Sequence, residues 1–257
     1  MIIRNTQGRI LEELSLDTLA GADLRGRIWP DVDLRGADLR GADLRGSDLT
    51  HGAFQEARLD QARLDGADFT GSEMAGASLE EASLYTARIS AHNLDGTRFH
   101  GADLRRSVLR YSVGRGTVFD DARMQGTDLC DVALTEGSFR GADLEGSMAA
   151  RATLTGSDLS FTSLVGAYLS GTDLSGCRLH GADLSMSAFN GVVFQGADFT
   201  QAVFSRTVVT RSPSLSTATG LDHVHHLAES ALDRRTLAGN DDWPRSFLEE
   251  TGSGEVP

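Results

Sequence analysis

The sequence predicts an all-β chain wound into a square coil that closes every 20 residues. Three observations predict it. From Leu24 to Val209 every fifth residue is Leu, Phe, Met or Ile, with only Trp29, Gly114, Ala149 and Val209 departing. Two residues before most of them sits a small one, as at Ala22, Ala37, Ala42, Ser47, Ala57, Ala62 and Ala67. Two residues after, Gly is the commonest choice. A helix repeats every 3.6 residues and a half-buried strand every two, so a strict five fits neither. It fits a chain that turns a corner every five residues, pointing one large and one small side chain inward on each side. Four sides close the coil. Successive coils then stack as parallel strands, with residues i and i+20 roughly 4.8 Å apart.

The elements follow in order. Residues 1–21 form an N-terminal cap, because an exposed coil end invites edge-to-edge association. Ile2–Thr6, Gln7-Gly8 and Arg9–Leu11 read as a small hairpin, and Leu14 and Leu19 are already in phase. Residues 22–211 are the repeat region. Leu39, Leu44, Leu64, Phe99, Phe119, Phe139, Leu159, Leu184 and Phe199 are expected among its core side chains. Gly suits the corners because it tolerates positive φ. After Ser212-Pro213-Ser214 the pattern stops, and 212–257 reads as a capping tail. Leu227–Leu237 suggests one short helix. Trp243–Leu248 suggests another, with Asp242 as N-cap, Pro244 in its first turn and a loose end beyond it.

The unit Ala37-Asp38-Leu39-Arg40-Gly41 resembles the A(D/N)LXX motif of the pentapeptide-repeat family, across residues 22–211. The resemblance implies a right-handed quadrilateral parallel β-helix, here about nine and a half coils at strand spacing. It also implies a non-catalytic scaffold for protein–protein interaction. Some members of the family imitate duplex DNA, engage DNA gyrase or topoisomerase IV, and give resistance to topoisomerase poisons. A type II topoisomerase is therefore one expected partner. The tail stretches GLDHVHHL, ALDRRTL and WPRSFLEETG more weakly resemble a segment that follows the repeats in bacterial proteins with TIR-type signalling domains. The chain stops where such a domain would begin, which suggests a stand-alone relative of that module.

Composition bounds the chemistry. The chain has 257 residues, and its 24 basic residues are all Arg. A net charge of −13 disfavours direct nucleic-acid binding, which needs a basic surface. Cys130 and Cys177 form no CxxC pair, so a reducing compartment is expected. No apolar run is long enough for a membrane span or a signal peptide, and a cytoplasmic protein is the expectation. No P-loop, GxGxxG, HExxH or GxSxG occurs, so neither an enzyme nor a cofactor is expected. His223-Val224-His225-His226 reads as a polar turn rather than a metal site. His92 occupies a small inward slot and is expected to twist outward.

Columns at i, i+20 and i+40 can be written down directly. Met148, Tyr168, Ala188 and Val208 make an outward apolar column, with Phe161 and Val165 assigned to neighbouring corners. Outward apolar residues in a row suggest a contact surface, covered either by the tail or by a second subunit. A monomer and a homodimer both remain open. Asp60, Glu80 and Asp120, with Glu81 and Asp121 beside them, form a candidate acidic patch. His100 interrupts it, and residues 149–211 contain as many Arg as Asp. The third feature is an irregular coil. Gly114 takes a large-residue slot, Val113 replaces a polar residue, and Arg105, Arg106, Arg110 and Arg115 gather near Tyr111. The missing side chain predicts either a cavity or a bulge that turns Val113 inward.

Overall fold

The computed structural model describes residues 1–238 and 243–251. Across the repeat region, bridges between coils recur at an offset of 20, as in Asp43↔Arg63, Met148↔Tyr168 and Asp158↔Arg178, and all are parallel. Four such columns run along the chain, so each coil has four sides. We number the faces by their outward columns. Face 1 carries Asp43, Arg63 and Ser163. Face 2 carries Asp68, Arg88 and Tyr168. Face 3 carries Glu73, Val113 and Thr153. Face 4 carries Arg58, Ser78 and Asp158.

One local rule builds the coil. The carbonyl of a large inward residue accepts the N–H three residues on, as in Ala62 N to Leu59 O at 3.0 Å. The third residue of that turn has positive φ, the signature of a type II turn. Every such corner position from Gly21 to Arg211 has positive φ except Ala91. There the turn tightens, with Ala91 N bonding Ile89 O at 2.7 Å. Ala91 is then buried and His92 exposed, so the chain exchanges neighbours to keep the large ring in water.

The expected core side chains are all buried, from Leu39 to Phe199. Phe99, Phe119 and Phe139 stack at 5.0 and 4.9 Å between centroids. Most inward Ser and Thr donate to the preceding coil, while Ser107, Thr162 and Ser187 donate to the carbonyl three residues back in their own. Thr117 Oγ1 donates to Leu94 O at 2.9 Å, and Thr127 Oγ1 to Leu104 O at 2.9 Å. This hydroxyl-to-carbonyl bond lets a polar residue replace Ala in the core, since a buried donor costs little once paired.

At the N-terminus β1 (Ile2–Arg4) and β2 (Ile10–Glu13) form the expected antiparallel hairpin. It covers one edge of the first coil, because Asn5 bridges Val32 and Arg4 O accepts from Asp33 N at 2.9 Å. Glu12 adds a side-chain tie to Trp29 Nε1 at 2.8 Å and to the half-buried Arg27. Three-residue strands stand out at β3 (Val113–Arg115), β4 (Ala133–Thr135), β5 (Ala188–Asn190), β6 (Val203–Ser205) and β7 (Val208–Thr210).

The sequence pattern stops at Arg211, but the coil continues. After 3₁₀ turns at Pro213–Thr217 and Leu221–His223, β8 (His225–Ala228) pairs in parallel with β6, and β9 (Ala231–Leu232) pairs with β7. The expected polar turn at His223–His226 is in part strand, and the helix expected over Leu227–Leu237 is confined to α1 (Arg234–Leu237). Parallel pairing with the preceding coil outweighs the weak helical pattern of this segment. Asp233 caps α1, accepting from Thr236 N at 2.8 Å. In α2 (Arg245–Glu250), Phe247 is fully buried against Phe204, His226 and Trp243. Pro244 is its N-cap; Asp242 and the last six residues lie outside the described residues.

Candidate interaction faces

The corner residues stand between faces, so their numbers fix where they lie. Met148, Tyr168, Ala188 and Val208 run down face 2 as one bonded column. Met148 is 46% exposed, Tyr168 49% and Val208 43%. Val165 lies at the corner of faces 1 and 2, half-buried. Phe161 does not join this strip. It sits one corner away, between faces 4 and 1, edge-on to His180 with its ring over Gly181. The described tail does not cover the strip either: β9 extends the same column, with Ala231 paired to Val208.

Asp60, Glu80, Glu81, Asp120 and Asp121 line the corner of faces 4 and 1, and most are engaged within the rod. Asp60 accepts from Ser78 Oγ and Glu80 N. Asp120 accepts from Ser138 Oγ and from Arg140 N at 3.0 Å. Glu80 pairs with Arg98 at 2.8 Å, and Glu81 accepts from Gln61 Nε2 at 2.9 Å. Asp121 shares a shallow pocket with His100, Arg140 and Phe161. The column is thus a mixed polar ridge rather than an uninterrupted run of free carboxylates.

The first coils repeat the same economy of charge. In each Asp-Leu-Arg unit the guanidinium folds back onto the carboxylate two residues earlier, as in Arg40 to Asp38 at 2.8 and 2.6 Å. That pairing with Arg40 lowers the Asp38 pKa to about 2, and Arg25 does the same for Asp23. Where Thr50, Ser160, Ser175, Ser185 or Thr200 stands in place of Arg, its hydroxyl and N–H both serve the same carboxylate; Thr70 uses its N–H alone. Asp158 accepts from Ser160 and also from Arg140 and Arg178.

The irregular coil is filled and not hollow. A Cβ on Gly114 would lie 2.6 Å from Thr117 Oγ1, 2.9 Å from Leu94 Cβ and 3.0 Å from Leu94 C. Neighbouring chain closes the space, and Val113 stays outward, about half exposed, in β3. Nor do its arginines form one cluster. Arg105 binds Asp103 and lies 5.8 Å from the Tyr85 ring, at the corner of faces 1 and 2. Arg106, beside it, has no carboxylate partner among the described residues. Arg110 lies over Tyr111 at 5.2 Å and bonds Asp131, at the corner of faces 2 and 3. Arg115 is one corner further on, paired with Glu136 at 2.7 Å.

The sequence columns missed Tyr85, Met186 and Val193, which are exposed. The spacing of 20 places Tyr85 beside Arg105 and Met186 beside Gly166, at the corner of faces 1 and 2 next to Val165.

Pentapeptide repeats match residues 19–51, 54–90, 97–135, 115–148, 138–176 and 152–186, and a second pentapeptide-repeat profile matches 174–219. The chain belongs to the pentapeptide-repeat family. Among solved structures, this pentapeptide-repeat protein is similar to HetL, involved in heterocyst differentiation regulation in the cyanobacterium Nostoc sp. strain PCC 7120. The two share 23% identity over 85% of this chain and 92% of HetL, with a TM-score of 0.38. It is also similar to QnrB1, a plasmid-mediated fluoroquinolone resistance protein, at 16% identity over 88% and 97% of the two chains, TM-score 0.46. A pentapeptide-repeat protein of the Arabidopsis thaliana thylakoid lumen matches at 25% identity over 59% and 68%, TM-score 0.18. No curated protein matches. Among the described residues of this pentapeptide-repeat protein, no three or more His, Cys, Asp or Glu are grouped to hold a metal ion, and no helix is long and apolar enough to cross a membrane.

Proposed function

We propose that this pentapeptide-repeat protein is a non-catalytic scaffold that offers a rigid flat face to a protein partner. The observation that carries it is the exposed apolar column of face 2, on a rod whose own side chains fill the axis. A site for small-molecule chemistry needs a concave pocket, and a filled coil has none along its axis. Fold alone does not give function, so the support lies in that surface. Tyr168→Asp tests it. The expected outcome is an unchanged melting temperature with loss of partner binding or of self-association. Unchanged binding and unchanged oligomeric state would refute it.

A second reading is a mimic of duplex DNA that binds a type II topoisomerase. It has the net charge of −13 in its favour. Against it, Arg40, Arg98 and Arg140 sit on or beside carboxylates that would have to imitate phosphates. Inhibition of gyrase supercoiling by the purified protein, or protection from a quinolone, would support it. No effect on either would remove it.

A further inference from the structure

All three tyrosines of the chain border one face. Tyr168 lies in the face 2 column, Tyr85 at its corner with face 1, and Tyr111 at its corner with face 3. Tyr111 is 64% exposed. Two of the tyrosines carry an arginine over the ring. Between Arg88 and Tyr111 this face has arginines and no carboxylate of its own. The next coil supplies Asp128 and Asp131, which face Arg110 and Arg151. Glu145 is the one carboxylate left open before the apolar strip begins. From Val165 to Gly191 the face and its corners carry no charge at all. A basic and aromatic end thus runs into an apolar end, on a protein that is acidic overall.

We propose that face 2 docks an amphipathic helix of a protein partner, acidic over Arg106 and apolar over Met148, Tyr168 and Val208. This rests on the scaffold reading and adds the face and the chemistry of its partner. Charge complementarity selects the acidic end, since Arg106 has no carboxylate partner among the described residues. Tyr and Arg are also the residues on which interface energy concentrates. A helix is selected because no strand can add to this face. Its backbone groups are used between coils, as in Tyr168 N to Ser147 O at 2.9 Å and Leu169 N to Ala188 O at 3.1 Å. From the level of Val108 to Val208 is about 24 Å at strand spacing, the length of about 16 helical residues.

The test uses the full chain in its host cells, with a benzophenone amino acid placed at Gln125 on the face 1 border of face 2, or at Tyr168 or Val208 in the face 2 column. Ser163, Thr153 and Arg58 serve as controls on the other faces. The expected result is cross-linking from Gln125, Tyr168 and Val208 to one segment of one protein. Mass spectrometry should place its carboxylates at the Gln125 end and its apolar residues at the Val208 end. Arg106→Glu should lower the yield from Val208 at least ten-fold at an unchanged melting temperature. Glu already occupies equivalent positive-φ corners at Glu81 and Glu136, so the substitution is compatible with the turn. Cross-links to a second copy of this chain, to nucleic acid, or to a segment without carboxylates would overturn the proposal. So would a yield indifferent to Arg106→Glu. Protein captured from the control faces alone would sink the face 2 assignment and leave the scaffold reading standing. No protein captured from any face would sink both.

Discussion

At Gly114 a hydrogen atom is all the coil admits. Its φ is ordinary, so the restriction is space and not backbone angle. Gly114→Leu would drive a branched side chain against the Leu94 backbone, which cannot give way as a side chain end could. Overpacking of this kind costs about 1–3 kcal/mol. Urea denaturation should therefore show destabilisation, where a cavity at this position would have shown a gain. The two thiols make a second prediction. Cys177 is buried, donates to Leu154 O at 3.0 Å, and burial pushes its pKa up to about 12. Burial also pushes Cys130 up, and Asp128 beside it adds to the shift. A thiol-reactive dye at pH 8 should label neither in the native protein and both in denaturant, because the thiolate is the reactive form.

At the scale of elements, the C-terminal end shows how the rod is stopped. β8 and β9 continue the coil, and Phe247 from α2 closes it over Phe204. Phe247→Ala should cost about 3 kcal/mol, in line with truncation of a buried aromatic. It would also bare an end that other chains can pair with. Denaturation curves together with light scattering check both effects. The repeat elements were legible in the sequence because each depends on its own five letters. A large residue, a small one and a corner recur whatever lies elsewhere. The tail was not legible. His226 and Leu232 take up coil positions through pairing with residues 22 and 23 places earlier, and no local periodicity records that. The face 2 strip was half legible. Its column came from the spacing of 20, but the separation of Phe161 from it required knowing which corner joins which faces.

For the whole molecule, charge pairing sets the response to acid. Asp23 and Asp38 have pKa values of about 2, lowered by Arg25 and Arg40. In the unfolded chain an Asp titrates near 3.9. The folded state thus keeps these carboxylates ionised where the unfolded state binds protons. Their stabilising contribution is present above about pH 4 and is lost as pH falls towards about 2. The melting temperature should drop across that window. Replacing Arg25, Arg35, Arg40 and Arg45 together with Gln should flatten the drop, leaving the profile above pH 5 little changed in shape.

The tail also shows what the architecture does with extra residues. Between β6 and β8 the offset grows from 22 to 23, yet each strand still lies on its partner. The surplus residue, Leu227, bulges out of β8 into solvent, while the residues on either side of it stay paired. Length changes therefore have discrete outcomes. A single inserted residue makes a surface blister. A duplicated coil lengthens the rod and leaves every face intact. A single repeat duplicated between Arg106 and Tyr168 turns all that follows by a quarter, carrying Tyr168 off the face that Arg106 borders. The number five thus acts as an indexing step, by which small duplications can shuffle one set of surface residues into new combinations without disturbing the interior.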